Sequence, residues 1–416
     1  MLALAPSGRS ARLVLLLSVL GGCGDSPTGS PPASDPRVLF DLRPLGAVPD
    51  PGDNPRSEEK VELGRLLFFD PILAGERDVS CATCHHPAFA FADGRARSIG
   101  PGGTGLGPDR TAGSSSFSGD GIREMARNAP TVLNAALHGS GSGVPSADGL
   151  QFWDGRARGL EEQALLPIAA RDEMRGDAYP EEVALDSVLA RLRAIPEYVE
   201  RFGRAFPDAS DPSGAMTPET VAMALATYQR ELVGRAARFD RYVAREVELT
   251  PVELAGLELF FDRGSCTQCH GGPMFSGFDV QRIGAPQTGP GGASLPGDDL
   301  GREEHSGLVA DRRAFAVPSL RNVALTAPYM HSGAFETLED VVRFYSDDMQ
   351  PRHPAVDDEA LSPQLPRNLG LTSDEIGALV AFLETLTDPG TALAPELVRI
   401  PDRVPSGLQP VSGLGG

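Results

Sequence analysis

The chain has 416 residues, 41% of them hydrophobic and 23% charged, which is ordinary globular material and enough for two or three domains. A formal net charge of −20 argues against nucleic acid as a partner, whereas a basic redox protein would be steered in. Lys60 is the only lysine, and there are five cysteines.

Arg9 and Arg12 precede an apolar run from Leu13 to Leu20, which ends in Leu20-Gly21-Gly22-Cys23. A basic start, a short apolar core and small residues before the cut describe a secretory signal. The run is too short to span a bilayer comfortably. Its ending resembles a bacterial lipobox. Residues 1–22 therefore read as a lipoprotein-type signal peptide, with Cys23 as the lipid anchor to the membrane. That predicts a periplasmic protein anchored to the outer membrane. Residues 23–40 are rich in Pro, Ser and Gly and read as a flexible tether.

Regular structure is expected from Ser57, a plausible N-cap, through a helix reaching Phe68-Phe69-Asp70. Further helices are expected through Leu160 to Leu165, stopped by Pro167, then over 181–202 and over 218–232, with Pro218 at the first helical position. Thr250-Pro251-Val252-Glu253 is a capping box opening a helix that ends in Phe260-Phe261-Asp262. This looks like one helical module used twice. Alternating strand patterns are scarce. The expected fold is all-α, with one domain over 41–245, a second over 246–393 and a disordered tail over 394–416.

Each half carries one chemical motif: Cys81-Ala82-Thr83-Cys84-His85 and Cys266-Thr267-Gln268-Cys269-His270. Cys-x-x-Cys alone could be a redox dithiol or half a zinc site. Histidine directly after the second cysteine, twice, is the attachment pattern of c-type haem. Each thiol would form a thioether to a porphyrin vinyl group, and His85 and His270 would be axial iron ligands. With four cysteines so used, only Cys23 is left. Export suits this chemistry, because bacteria attach c-type haem outside the cytoplasm.

Three further stretches accompany the motifs: Gln151-Phe152-Trp153-Asp154-Gly155-Arg156 with Glu161-Glu162-Gln163-Ala164 after it, Pro318-Ser319-Leu320-Arg321-Asn322, and Ala327-Pro328-Tyr329-Met330-His331-Ser332-Gly333. In this order the set resembles the bacterial di-haem cytochrome c peroxidases and their MauG-like relatives, from about Ser57 to Thr387. The resemblance implies two cytochrome-c-like domains, the first haem meeting hydrogen peroxide and the second handling electrons. It assigns acid–base catalysis to Glu162, although a Glu-Glu pair on a helix is by itself usually a solvated face. It makes Gln151 a peroxide-binding amide and places Trp153, the sole tryptophan, between the haems as an electron relay. It also implies a calcium ion held by Asn128 and by the carbonyls of Thr326 and Pro328, oxygen donors that suit a hard cation.

Two departures from the family pattern stand out. The resemblance implies, for many of the peroxidases, a further histidine about sixteen residues after the first motif. That count reaches Pro101, and no histidine lies between His86 and His138. An open sixth position on the first iron is therefore expected. Fourteen residues after His331, where the peroxidases have methionine and MauG-like enzymes tyrosine, stands Tyr345, the expected second ligand of the second iron. Met274, Met330 and Met349 are the methionine alternatives. His138 and His353 read as surface or loop residues.

Three functions remain open. The first is a peroxidase reducing hydrogen peroxide with electrons from a small cytochrome or cupredoxin. The second is a MauG-like oxidase acting on a partner protein. The third is a non-enzymatic di-haem electron carrier.

Overall fold

The computed structural model describes residues 35–112, 124–141, 144–209, 211–287, 298–390 and 393–410. The signal peptide, Cys23 and most of the tether lie outside the described residues. Helices dominate: α1 (Pro36–Leu39), α2 (Glu58–Phe69), α3 (Cys81–Cys84), α4 (Gly159–Ala169), α5 (Ala184–Arg193), α6 (Pro196–Ala205), α7 (Pro218–Glu231), α8 (Arg238–Val243), α9 (Pro251–Phe261), α10 (Glu303–Ser306), α11 (Leu338–Ser346), α12 (Ser373–Glu384) and α13 (Pro395–Val398). Three two-residue antiparallel ladders join β1 (Gly103–Thr104) to β2 (Thr111–Ala112), β3 (Leu150–Gln151) to β4 (Ala157–Arg158), and β5 (Val280–Gln281) to β6 (Phe315–Ala316).

The sequence repeat is a structural repeat. Helix α2 crosses α7 at Gly64, where a Cβ would fall 1.9 Å from the Ala224 carbonyl oxygen; α9 crosses α12 at Gly256, where a Cβ would fall 1.9 Å from that of Ala378. Only glycine allows so close a backbone approach. Asn134 and Asn322 both take left-handed backbone at φ 62°, which asparagine tolerates. Asn134 Oδ1 accepts the Gly234 amide and Asn322 Oδ1 the Asp388 amide, each at 2.8 Å. One apolar core gathers α2, α5, α6 and α7 around Leu67, Phe69, Tyr198, Phe202 and Leu225. Another gathers α8, α9 and α12 around Phe239, Leu257, Phe260, Phe275 and Phe382. A small third cluster, including Leu137, Leu160, Met274 and Phe278, lies where the halves meet.

Several boundaries differ from expectation. Pro167 does not stop α4 but lies inside it; one proline removes a single helical hydrogen bond, and packing can sustain the rest. The helix expected over 181–202 breaks at Ile195-Pro196 into α5 and α6, since proline disfavours helical backbone in the residue before it. Residues 36–42, read as tether and first-domain start, pack on the second core: Phe40 stacks on Phe261 at 4.8 Å and Arg37 lies over the Tyr242 ring at 4.0 Å. Helix α8 also belongs to that core, so the second half begins before 245.

The tail expected to be disordered from 394 is ordered over 394–410 and returns to the first core. Val404 is buried there at 1% exposure. Tyr228 donates its hydroxyl to the Leu397 carbonyl at 2.8 Å. Ser406 donates to Asp70 at 2.6 Å, and Tyr198 donates to the same buried carboxylate. Few apolar residues in sequence were enough, because each fills a place on an existing core. Val404→Ala should lower the unfolding free energy by about 2 kcal/mol. Thermal melts of the haem-loaded protein would show this, and an unchanged midpoint would mean the segment is dispensable.

Candidate active site

The first motif forms α3, whose N-cap Ser80 has its backbone N–H bonded to Thr83 Oγ1 at 2.9 Å. Ala82 and Thr83 are buried, so this motif is set into the core. His85 Nδ1 lies 3.2 Å from the Phe91 carbonyl oxygen. That contact fixes Nδ1 as the donor and leaves Nε2 as a lone-pair ligand. Burial lowers the His85 pKa, keeping the ring neutral as an iron ligand must be. The second motif repeats the device, with His270 Nδ1 3.0 Å from the Phe275 carbonyl oxygen and burial again lowering the pKa. Its attachment turn differs in exposure, Gln268 being open to solvent.

Beside the first motif is a cavity of about 690 Å³ whose walls include Cys81, Cys84 and His85. Burial pushes both thiols up to about 12, so they are held as neutral thiols. A large cavity lined by the two thiols and the imidazole fits a covalently attached haem. Intact-mass measurement should show two haem additions, one of them lost in Cys81→Ala/Cys84→Ala protein. A haem-free mass from a host able to attach c-type haem would refute the assignment.

Trp153 and Gln151 both line this cavity. The Trp153 indole N–H donates to the Asn128 carbonyl at 2.9 Å, and the Trp153 carbonyl accepts the Ala316 amide from the other half at 2.6 Å. The indole is thereby fixed at the junction between the halves. Gln151 is buried with its amide turned to the Ala135 and Gly149 carbonyls at 3.3 and 3.4 Å, an anchored wall residue. His138, expected in a surface loop, also lines the cavity and packs on Phe278 at 5.0 Å; burial lowers its pKa to about 4.

Glu162 is not in the cavity. Its side chain is exposed, and Oε2 accepts the Arg158 backbone N–H at 2.7 Å. It satisfies an amide left over at the start of α4. Its neighbour Glu161 turns to the other side, accepting from Asn54 at 2.7 Å and from the buried Arg230 at 2.8 Å. The expectation for Glu162 is therefore corrected. Among the acidic residues on the cavity wall, which include Asp154, Asp172 and Asp299, is Glu173, in a one-turn π-helix over Arg171–Arg175. Burial is the largest influence on Glu173 and raises its pKa. Gln163 lines the same cavity and its amide has no hydrogen-bond partner among the described residues. The π-turn is wedged in place by two glycines, since a Cβ on Gly75 would fall 1.9 Å from the Arg175 carbonyl oxygen and one on Gly100 1.9 Å from that of Asp172.

At the second motif, Tyr345 stands on α11 in a cluster with Phe344, Met349 and Met330. Burial raises its phenol above the ordinary range, and Cys269 and Cys266 add to the effect, so the ring lies close to both attachment thiols. Its hydroxyl has no hydrogen-bond partner among the described residues. Met349 is fully buried in that cluster, and Met274 is buried in the junction cluster. For calcium, the Asn128 amide lies 3.4 Å from the Pro328 carbonyl oxygen, across a cis Ala327–Pro328 bond. Thr326 donates its hydroxyl to the Val323 carbonyl at 3.2 Å. No cluster of three or more His, Cys, Asp or Glu able to hold a metal ion occurs among the described residues.

The family model of the di-haem cytochrome c peroxidases matches residues 58–248. The methylamine utilization protein MauG of Methylorubrum extorquens is 35% identical over 84% of this chain and 85% of its own length. Cytochrome c551 peroxidase of Nitrosomonas europaea is 33% identical over 90% of each chain. Among solved structures, a MauG-like protein associated with microbial copper homeostasis superposes with TM-score 0.69 and 31% identity over 86% of this chain and 98% of its own. The diheme peroxidase BthA of Burkholderia thailandensis superposes with TM-score 0.61 and 26% identity over 85% and 90%. The protein belongs to the di-haem cytochrome c peroxidase family and is a haem oxidoreductase of that family.

Proposed function

We propose that the protein reduces hydrogen peroxide at a haem held by Cys81, Cys84 and His85. Its electrons come from a small redox protein through a second haem held by Cys266, Cys269 and His270. Each haem belongs to one of two cytochrome-c-like modules. The observation that carries this reading is the cavity beside the first motif, with the Glu173 carboxyl and the Gln163 amide on its wall. The haem would supply the metal centre that binds peroxide and the store for electrons. Two electrons and two protons turn one peroxide into two waters. Glu173 takes the proton from the peroxide oxygen nearest the metal and returns it to the oxygen that leaves. Burial keeps Glu173 protonated to higher pH than a free glutamate, which favours the acid half of that cycle. Gln163 hydrogen-bonds and orients peroxide. Gln151 shapes the wall, and Trp153 relays electrons between the halves.

A second reading rests on Tyr345. A phenol beside the second pair of thiols supports Tyr345 as the second ligand, the iron rather than its surroundings drawing off the proton, and with it MauG-like oxidation of residues in a partner protein. The two readings separate in one assay of the haem-loaded protein. Steady peroxide consumption that depends on a reduced cytochrome or cupredoxin supports the first. Peroxide consumption without any such donor, accompanied by covalent change in a protein substrate, overturns it in favour of the second.

We also propose a calcium ion bound by Asn128 with the Thr326 and Pro328 carbonyls; the Asn128–Pro328 approach supports it. Export to the periplasm and lipid anchoring at Cys23 to the outer membrane complete the proposal and rest on the N-terminal sequence.

A further inference from the structure

Phe152-Trp153-Asp154-Gly155-Arg156 supplies more than an indole. The Arg156 guanidinium lies 3.6 Å over the Phe152 ring. Its Nη1 donates to both Asp154 carboxylate oxygens at 3.2 and 3.1 Å, and its Nη2 to Glu173 Oε1 at 3.3 Å. The Asp154 side chain, 4% exposed, also accepts from Arg127 Nη1 at 2.6 Å. Arg127 then forks onto Asp299, with Nε and Nη2 each donating at 2.8 Å, and touches Glu304 at 3.1 Å. Asp299 accepts the Gly301 amide at 2.8 Å, and its own amide donates to Gln287 Oε1 at 3.0 Å. The result is a row of charges that starts at the cavity acid, passes beside Trp153 and ends on a segment of the other half.

Buried ion pairs are weak evidence for stability, because desolvation offsets their attraction. What matters here is where the row ends. We propose that Arg156 is a positioning residue for Glu173: its guanidinium, fixed by Asp154 and through it by Arg127 and Asp299, holds the Glu173 carboxyl on the cavity wall. This rests on the reading of Glu173 as the acid–base group. A planar fork suits the task, since one face grips Asp154 while the other end reaches Glu173.

The charged groups acting on Glu173 are Arg156 and Arg127, which favour its ionised form, and Asp172 and Asp154, which oppose it along with burial. Removing Arg156 therefore leaves the opposing influences in place, and Glu173 should hold its proton to still higher pH. A single nearby opposite charge shifts a carboxyl by about one to three pH units.

The test uses the haem-loaded protein with Arg156→Gln and Arg156→Lys. The protonated carboxyl band of Glu173, identified by infrared difference against Glu173→Gln, is titrated in the resting protein. Turnover is followed over the same pH range. In Arg156→Gln the midpoint should rise by about one unit or more, and the acid limb of kcat should move with it. Arg156→Lys keeps the charge but cannot fork onto both partners, so its midpoint should stay nearer the parent value while kcat falls at unchanged KM. Haem content and both haem absorption spectra check folding. Should Arg156→Gln fail to fold, full kcat in Arg156→Lys overturns the proposal by itself. An unmoved midpoint in Arg156→Gln, with Glu173→Gln inactive, overturns the positioning role alone. Full turnover in Glu173→Gln removes the acid–base reading beneath it.

Discussion

Glu173→Gln should keep both haems and lose about 10²–10⁴-fold in peroxide turnover, the usual cost of removing a general acid–base group. Glu162→Gln should stay within about twofold of the parent, because its carboxylate is exposed and only closes the first turn of α4. The pH profile should carry the same signature. Burial raises the Glu173 pKa, so the base form that accepts the first proton becomes scarce as pH falls through that raised value. Activity should therefore fall on the acid side above the ordinary glutamate range of about 4.3, and that limb should vanish in Glu173→Gln. Steady-state kinetics over pH, with haem content measured on each sample, would check both statements. Equal losses in the two variants, or an acid limb that survives without Glu173, would refute the assignment.

The two motifs and the helical repeat were legible in the sequence because local chemistry dictates them, whereas Trp153 was singled out only through the family resemblance. Cys-x-x-Cys-His brings thiols and imidazole together within one turn. Phe68-Phe69-Asp70 and Phe260-Phe261-Asp262 end matching helices whose glycine crossings recur. The carboxyl we propose for acid–base work was less legible for a physical reason. Glu161 and Glu162 have the local look of a motif, yet one serves a buried ion pair and the other a helix start. Glu173 stands in Arg171-Asp172-Glu173-Met174-Arg175, which reads as a solvated charge run. What half-buries it is distant in sequence: Gly75 and Gly100 press on the π-turn, and Arg156, from the stretch before α4, donates to it. Gln163 and Glu173 follow Trp153 by 10 and 20 residues, but spacing does not mark them, and only packing shows that they line the cavity. The tail was misread for a related reason. Val404 and Leu408 are sparse in sequence, and their value lies in the core surface they cover.

Peroxide should react with the resting, fully oxidised protein, with no prior reduction. The loop after the first motif carries no histidine, and the structure adds that its near part is pinned. Arg110 donates to the carbonyls of Ile99 and Gly100 at 2.7 Å and of Gly105 at 2.9 Å. Pro101 is buried, and Gly100 sits hard against the turn that bears Glu173. With the sixth position of the first iron open, as the missing histidine leads us to propose, nothing would have to be expelled before peroxide enters. The second half of the argument concerns Tyr345. Thioether ligation raises a haem potential, so a methionine-ligated second haem would need to start reduced to deliver an electron. An anionic phenolate from Tyr345 would lower the potential, so that a haem held there could supply an electron while still oxidised, with Trp153 as the proposed relay. Electron paramagnetic resonance of the resting protein should show one high-spin and one low-spin ferric haem, and peroxide should bleach both signals. Tyr345→Met or Trp153→Phe should protect the low-spin signal while the high-spin one still reacts. A resting protein that is wholly low-spin and inert to peroxide until reduced would show that the first site is closed and that Tyr345 is a packing residue beside Phe344.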